Sequence, residues 1–330
     1  MVHNRLNIIQ VDPSSDPLTK EDRYISSRLT RKKELQAKFE RLWLLNPEQF
    51  NPLRNCMQRE RLERTWHLIL THHSLQQAYV ADIGCAAGVF SRRLRDAGAQ
   101  VDAIDIAENA LKYVRKHDLH HIITRQEIMP TTSLEDDSYD LVVCTEVIAD
   151  LSPDDFRLFF AELSRVVKAE GNVVFSTPID INTQGGVERL INLAHTEFDM
   201  IEFVPSYHTL YLRIKHLLKG PSYFIKGWQN KDFRSQQLAK RSGLGYWFFR
   251  VNTTFLFIWF WIVLRFLFSP LLSWMKSSRF LLLKLEKVCQ FFWADEGISH
   301  VIFLAKRRPV RLPEPEISTN ERPKKKEIWE

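Results

Sequence analysis

The sequence predicts an α/β fold built on a doubly wound, mostly parallel, seven-stranded sheet. Three observations predict it. Between Ala78 and Ser176, short apolar runs alternate with helical stretches, the pattern that right-handed crossovers turn into a parallel sheet. The first apolar run ends in a loop carrying Gly84 and Gly88. The second ends in an acid, Asp105.

The elements follow in order. Residues 1–25 are polar, with Pro13 and Pro17, and are expected to lack fixed structure. Residues 26–75 form a helical cap. Apolar residues recur at helical spacing from Arg28 to Leu45 and from Met57 to Leu70. In the second run Leu62, Trp66, Ile69 and Leu70 share one face, and Arg59, Glu60, Glu63 and Arg64 the other.

The core spans 76–180. Ala78–Ile83 suits a buried parallel strand, Val89–Ala97 a helix stopped by Gly98, Val101–Ile106 a second strand and Glu108–His117 a second helix. Ile122–Arg125 is a weak third strand, Tyr139–Cys144 a strong fourth, Pro153–Val167 a helix and Gly171–Ser176 the fifth strand. Over 181–230 the alternation fails, and the segment, rich in aromatics and histidines, reads as a lid or substrate insertion. Within 231–252, Lys231–Arg241 is helical and the apolar Tyr246–Val251 reads as a sixth strand. His300–Ala305, inside 298–306, is the last strand. The tail at 307–330, with four prolines among mixed charges, is expected to be disordered.

Between the last two strands lies a hydrophobic helical insertion, 253–297. Thr253–Met275 is long enough for a transmembrane helix of roughly 20 residues and carries a single charge, Arg265. Two features argue against a single crossing. It would separate the last strand from its sheet, and Ser269-Pro270 is expected to break the helix. Phe280–Phe292 then continues in amphipathic fashion. The expectation is therefore a membrane-associated segment, residues 253–293, lying in one leaflet at the cytoplasmic face, with Trp259, Trp261, Trp274 and Trp293 near the interface. A true span is one alternative. The other is an apolar helix pair buried in a homodimer or against the cap.

Composition narrows the function classes. An apolar fraction of 45% over 330 residues supports a full-sized core. The formal charge of +6 is concentrated near the ends, in Arg28–Lys33 and Lys324–Lys326, and reads as solvated tails. No groove of interleaved basic and aromatic residues is visible, so no nucleic acid partner is expected. Cys56, Cys85, Cys144 and Cys289 show no C-x-x-C spacing, which favours a reducing compartment and implies neither a disulfide framework nor a metal site. No apolar run follows Met1–Arg5, so no leader peptide is expected.

The loop Asp82-Ile83-Gly84-Cys85-Ala86-Ala87-Gly88 carries the chemistry. Glycines at a strand-to-helix turn let backbone approach a ligand and aim helix N–H groups at it. Asp105, closing the next strand, can take both hydroxyls of a ribose. A dinucleotide fingerprint needs three spaced glycines, and here Ala86 stands between Gly84 and Gly88. A nucleoside triphosphate loop needs Gly-Lys-Ser/Thr, and Val89-Phe90 follows Gly88. Asp82 would repel a pyrophosphate but suits an ammonium. The charge pattern points to S-adenosylmethionine, which carries an ammonium and a sulfonium.

With Tyr139–Val147 and Leu163–Gly171, these motifs resemble, in order, those of class I S-adenosylmethionine-dependent methyltransferases, nearest to the UbiE/UbiG-like small-molecule enzymes of quinone biosynthesis. The resemblance covers Arg59 to Thr177, more weakly Lys231–Val251 and His300–Lys306, and implies the Rossmann-like methyltransferase fold. It implies that Asp82 and the backbone of Gly84, Cys85, Ala86 and Gly88 hold the methionine part. Asp105 would take the ribose, Ile106 would stack on adenine, and Gln126 or Glu127 would stand near the adenine amine. Cys144, Thr145 and Glu146 would floor the pocket beside the methyl group. Where the family often has Glu-His, this chain has Ala149-Asp150, so a histidine base is not implied there.

The implied function is methyl transfer to a small lipophilic acceptor, a quinol- or phenol-like O- or C-methylation at the membrane surface. A phenol needs a base, for which Glu146, Asp150 and His208 are the candidates. Two rivals stand beside it. A nucleic-acid methyltransferase lacks support because Thr145–Ile148 replaces the Asn/Asp-Pro-Pro-Tyr/Phe signature. A non-catalytic membrane scaffold would have less reason to keep Asp82, Gly84, Gly88 and Asp105.

Overall fold

The structure is a computed structural model and describes residues 20–117, 122–179 and 186–309. The expected disorder at 1–19 and 310–330 lies outside the described residues. At 20–25 the expectation fails, because helix α1 already runs from Lys20 to Leu45. Its Leu35, Phe39 and Trp43 recur every fourth residue, which puts them on one face. Helix α2 (Cys56–His72) follows two single 3-10 turns, and Asn55 caps it by accepting a hydrogen bond from the Met57 N–H at 3.0 Å.

Strand and helix then alternate as expected: β1 (Tyr79–Ile83), α3 (Val89–Asp96), β2 (Gln100–Asp105), α4 (Glu108–His117), β3 (Ile122–Gln126), β4 (Tyr139–Thr145), α5 (Phe156–Val166) and β5 (Val167–Pro178). After α6 (Gly186–Ala194), β6 (Phe198–Ser206), α7 (Thr209–Gln229), α8 (Lys231–Ala239), α9 (Gly243–Asn252), α10 (Phe255–Ser277) and α11 (Arg279–Trp293), the chain closes on β7 (His300–Arg307).

The seven strands form one sheet in the order β3-β2-β1-β4-β5-β7-β6. Strands β1 to β5 pair in parallel, and β7 inserts antiparallel between β5 and β6. Successive residues of the central strands face opposite layers. Val142, Cys144, Phe175 and Phe303 meet Phe159, Phe160 and Leu163 of α5 on one side, and Val80, Leu141, Val174 and Ile302 meet Leu68, Ile69 and Leu94 of α2 and α3 on the other.

Three further expectations need correction. The sixth strand is not Tyr246–Val251, which is helical in α9, but Phe198–Ser206, inside the segment read as a lid. A short apolar run such as Tyr-Trp-Phe-Phe-Arg-Val fits either period, and an edge strand such as β6, half exposed and bulged between Met200 and Glu202, gives little signal. Second, α10 continues through Pro270. Third, α2 is covered on both flanks, because α11 packs against the side expected to be wet. Glu60 is therefore buried while Leu70 is 51% exposed.

Helix α10 is long and apolar enough to cross a membrane, the one such helix among the described residues, and only 6% of its most apolar window is buried. Leu256, Phe266 and, on α11, Phe291 are 85%, 79% and 81% exposed.

Candidate functional site

Two adjoining cavities of about 260 and 300 Å³ lie over the carboxyl ends of β1, β2 and β4, where a doubly wound sheet places its ligand. They share Phe50, Gly84, Ala86, Thr145 and Glu146 as walls. The larger is lined also by Asp82, Cys85, Arg61 and Ser176. The smaller takes in Asp105, Ile106, Glu127 and Asp150, roofed by Leu35, Phe39 and Trp43 of α1.

The loop after β1 is shaped by left-handed residues. Gly84, Ala86 and Gly88 have φ of +78°, +48° and +65°. The Gly84 and Cys85 N–H groups both donate to the Ile104 carbonyl, at 2.8 and 3.0 Å. A Cβ on Gly84 would stand 2.5 Å from Val147 Cγ2, so the close approach as well as the φ requires glycine.

Two buried acids flank this loop. Asp82 accepts a hydrogen bond from Ser91 Oγ at 2.5 Å. Asp105 accepts from the Ala86 N–H at 3.0 Å and the Ala107 N–H at 2.9 Å, tying the loop to the start of α4. Burial pushes both carboxyls up to about 6, against their hydrogen bonds. A cationic, hydroxyl-bearing ligand would relieve that penalty. The left-handed cradle, the two strand-end acids and the joined cavities all fit S-adenosylmethionine.

Glu146 sits where the cavities meet. Its backbone is left-handed at φ +67°, and its N–H donates to the Ser176 carbonyl at 3.0 Å. Arg61 Nη1 donates to Oε2 at 2.9 Å and Ser176 Oγ to Oε1 at 3.1 Å, and His300 Nε2 also bonds Oε1. The side chain keeps 42% of its surface open to the cavities although it lies deep in the protein. Burial would raise its pKa, but the His300 bond, the Arg61 charge and the Ser176 hydroxyl overcome this and hold it at about 2.

Most of the site residues expected from sequence come together here: Asp82, Gly84, Cys85, Ala86, Asp105, Ile106, Glu127, Thr145, Glu146 and Asp150 all line one cavity or both. Four do not. Gly88 shapes the turn without lining either cavity. Cys144 points into the core at 1% exposure, because the strand alternation that brings Thr145 to the cavities turns its neighbour away. Gln126 is exposed at the end of the edge strand β3 and bonds the Ile106 carbonyl at 3.1 Å. His208 is no lid residue: it is fully buried at the start of α7, its Nε2 3.7 Å from Glu286. Asp150 is engaged by Lys38 Nζ at 2.9 Å.

Sequence reasoning missed Arg61, Ser176 and His300, and with them the aromatic roof of Trp43 stacked on Phe50 at 4.7 Å. The fourfold spacing of Leu35, Phe39 and Trp43 was the one available signal for the roof. His300 is 154 residues from Glu146 and had none.

The family described as "Methyltransferase domain" matches residues 81–175. A protein of Hydrogenovibrio crunogenus named "Ubiquinone biosynthesis O-methyltransferase" is 32% identical over 111 residues, covering 32% of this chain and 44% of that protein. One of the same name from Stutzerimonas stutzeri is 34% identical over 148 residues, covering 43% and 61%. The chain thus matches about half the length of these relatives. Among solved structures, the N-methyltransferase NodS of Bradyrhizobium japonicum in complex with S-adenosyl-L-homocysteine is 23% identical with a TM-score of 0.40, covering 46% of this chain and 80% of that one.

Proposed function

We propose that this chain, which carries a class I S-adenosylmethionine-dependent methyltransferase domain, methylates a phenol- or quinol-like lipophilic small molecule at the cytoplasmic face of a membrane. The observation that carries the reading is the place of Glu146 where the two cavities meet: the smaller holds the ribose- and adenine-side residues Asp105, Ile106 and Glu127, the larger the methionine-side residues Asp82 and Cys85, so the methyl group between those two parts of the cofactor falls beside Glu146. When bound, S-adenosylmethionine supplies a methyl group made electrophilic by the sulfonium.

The residues of the chain divide the remaining work. Asp82 takes the ammonium and Asp105 the ribose hydroxyls, with Gly84, Cys85 and Ala86 letting the backbone close on the methionine part. Ile106 covers one face of the adenine and Glu127 faces its amine. Methyl transfer from a sulfonium is an in-line displacement, so alignment and exclusion of water supply most of the catalysis. The α1 roof excludes water. Of the three candidate bases, Glu146 alone both reaches the shared wall and keeps open surface.

The membrane part of the reading rests on α10 and α11. Their exposed apolar faces carry Trp259 and Trp274, with Arg250, Arg265, Lys276, Lys284 and Lys287 around them. That combination suits an anionic bilayer surface. The α10–α11 pair joins the site through α2, which carries Arg61 into the larger cavity.

Transfer of label from methyl-tritiated S-adenosylmethionine to a prenylated catechol in detergent micelles tests the reading. Label should appear in the extracted catechol, and Asp105→Ala should abolish it. Intact cofactor binding with no transfer to any phenol offered would sink the acceptor class. Failure to bind S-adenosylhomocysteine would sink the enzyme.

A further inference from the structure

We propose that His300, on the antiparallel strand β7, is a positioning residue that fixes the Glu146 carboxylate so that Glu146 accepts a hydrogen bond from the hydroxyl group of the methyl acceptor. This rests on the methyltransferase reading above and deepens it, because it makes the methylated atom the acceptor's hydroxyl oxygen rather than a ring carbon.

The argument begins with the sheet register. Thr145 of β4 pairs with Ser176 of β5, Ser176 with Ile302 of β7, and Pro178 with His300. Diagonal neighbours on one sheet face lie within reach of long side chains, so β5 and β7 deliver a hydroxyl and an imidazole to the same spot. Glu146, one residue beyond β4, is turned toward that spot by a left-handed backbone that a glutamate adopts only when its surroundings enforce it. Arg61 of α2 closes the third side. Three elements thus hold one carboxylate, and the cavities face what remains of it.

His300 is suited to this and to little else. It is 3% exposed, and its Nδ1 has no hydrogen-bond partner among the described residues. An ionised carboxylate only accepts, so the proton of the shared bond sits on Nε2. Burial lowers the imidazole pKa while Glu146 opposes the shift, and the titratable or charged groups facing the ring are Arg61, His208 and Glu146 itself. A neutral imidazole donating to a fixed carboxylate orients it without neutralising it.

The step balances as follows. A lone pair of the acceptor oxygen forms the new O–CH3 bond as the S–CH3 bond breaks, and the sulfur keeps that electron pair. The hydroxyl proton passes to Glu146 and then to water. A weakly basic carboxylate suffices, because the hydroxyl becomes strongly acidic as its oxygen takes the methyl group.

The test compares wild type with His300→Gln, His300→Ala and Glu146→Gln, using the prenylated catechol as acceptor. S-adenosylhomocysteine affinity should stay within about twofold in the two His300 variants, since His300 lines neither cavity. His300→Ala should lower kcat by about 100-fold, the scale of a misplaced catalytic group. His300→Gln, whose amide can still donate, should restore part of it. The pH profile of His300→Ala should gain an acidic limb as the Glu146 pKa rises toward the ordinary glutamate range. Wild-type kcat and pH profile in both His300 variants would overturn the proposal.

Carbon-13 titration of the glutamate side-chain carboxyls in wild type and His300→Leu, which fills similar space but cannot donate, gives a readout that needs no acceptor and no alanine variant. An upward shift of the Glu146 carboxyl supports the positioning role even if the catechol proves the wrong acceptor, and identical titrations overturn it.

Discussion

Arg64 of α2 and Glu286 of α11 form a forked ion pair, Nη1 2.8 Å from Oε1 and Nη2 2.5 Å from Oε2, between residues 222 apart in sequence. Glu286 is 7% exposed and also accepts from the Tyr207 N–H at 3.1 Å. The pair fastens the apolar α10–α11 hairpin to the helix that brings Arg61 to Glu146. Glu286→Gln keeps the shape and removes the charge, leaving the guanidinium of Arg64 with the Glu60 carboxylate and the neutral Pro205 carbonyl and Ser206 hydroxyl. Losing one partner of a buried pair costs about 3 kcal/mol, to be read from urea unfolding. Unchanged stability would show that the fork holds nothing. Burial would raise the Glu286 pKa, but His208 and Arg64 overcome it and hold it at about 2. A depressed carboxyl stabilises the fold above the unfolded glutamate value and loses that contribution as pH falls through 2.

Asp82 and Asp105 have the opposite sign. Their pKa values rise from 3.8 to about 6. The folded state therefore binds protons more tightly than the unfolded chain, and this contribution is complete below 3.8 and lost as pH rises through 6. At neutral pH each ionised acid costs the ligand-free protein about 3 kcal/mol, which a bound cation relieves. S-adenosylhomocysteine affinity should then fall as pH drops from 7 to 5, by about tenfold per pH unit for each acid that must ionise. Calorimetry at pH 6 in buffers of different ionisation enthalpy should show proton release. A pH-independent affinity would remove both acids from the binding reaction.

Gly84→Ala meets two obstacles. The left-handed backbone costs an ordinary residue about 1–2 kcal/mol, and the new Cβ collides with Val147. Cofactor affinity should drop by about tenfold or more. The double variant Gly84→Ala/Val147→Ala should recover the steric part only. Full recovery would show that φ imposes no constraint here.

The exposed faces of α10 and α11 make a prediction about partition. Wild-type protein should float with vesicles containing anionic lipid, and Leu256→Asp/Phe266→Asp should stay at the bottom of the gradient with unchanged S-adenosylhomocysteine affinity. Wild-type protein that stays at the bottom as a dimer would assign the face to a second copy of the chain.

Local sequence made the cofactor side of the site legible. Asp82, Gly84, Ala86 and Asp105 sit at strand ends and a left-handed turn, positions fixed by a few neighbouring residues. Thr145 and Cys144 show the limit of that reading: one belongs to the site and the other to the core, and only the strand pleat separates them. The segment before His208 has no local period that marks it as structured, yet it is the edge strand β6 leading into α7.

The parallel strands, the glycine loop and the two strand-end acids are legible without coordinates, because period, turn chemistry and charge are local properties. The tertiary structure decided that Phe198–Ser206 completes the sheet and that α1 roofs the smaller cavity. It also decided that Arg61, Ser176 and His300 converge on Glu146. Those arrangements depend on an antiparallel insertion and on helix packing between residues far apart in the chain, and no local pattern encodes a partner that distant.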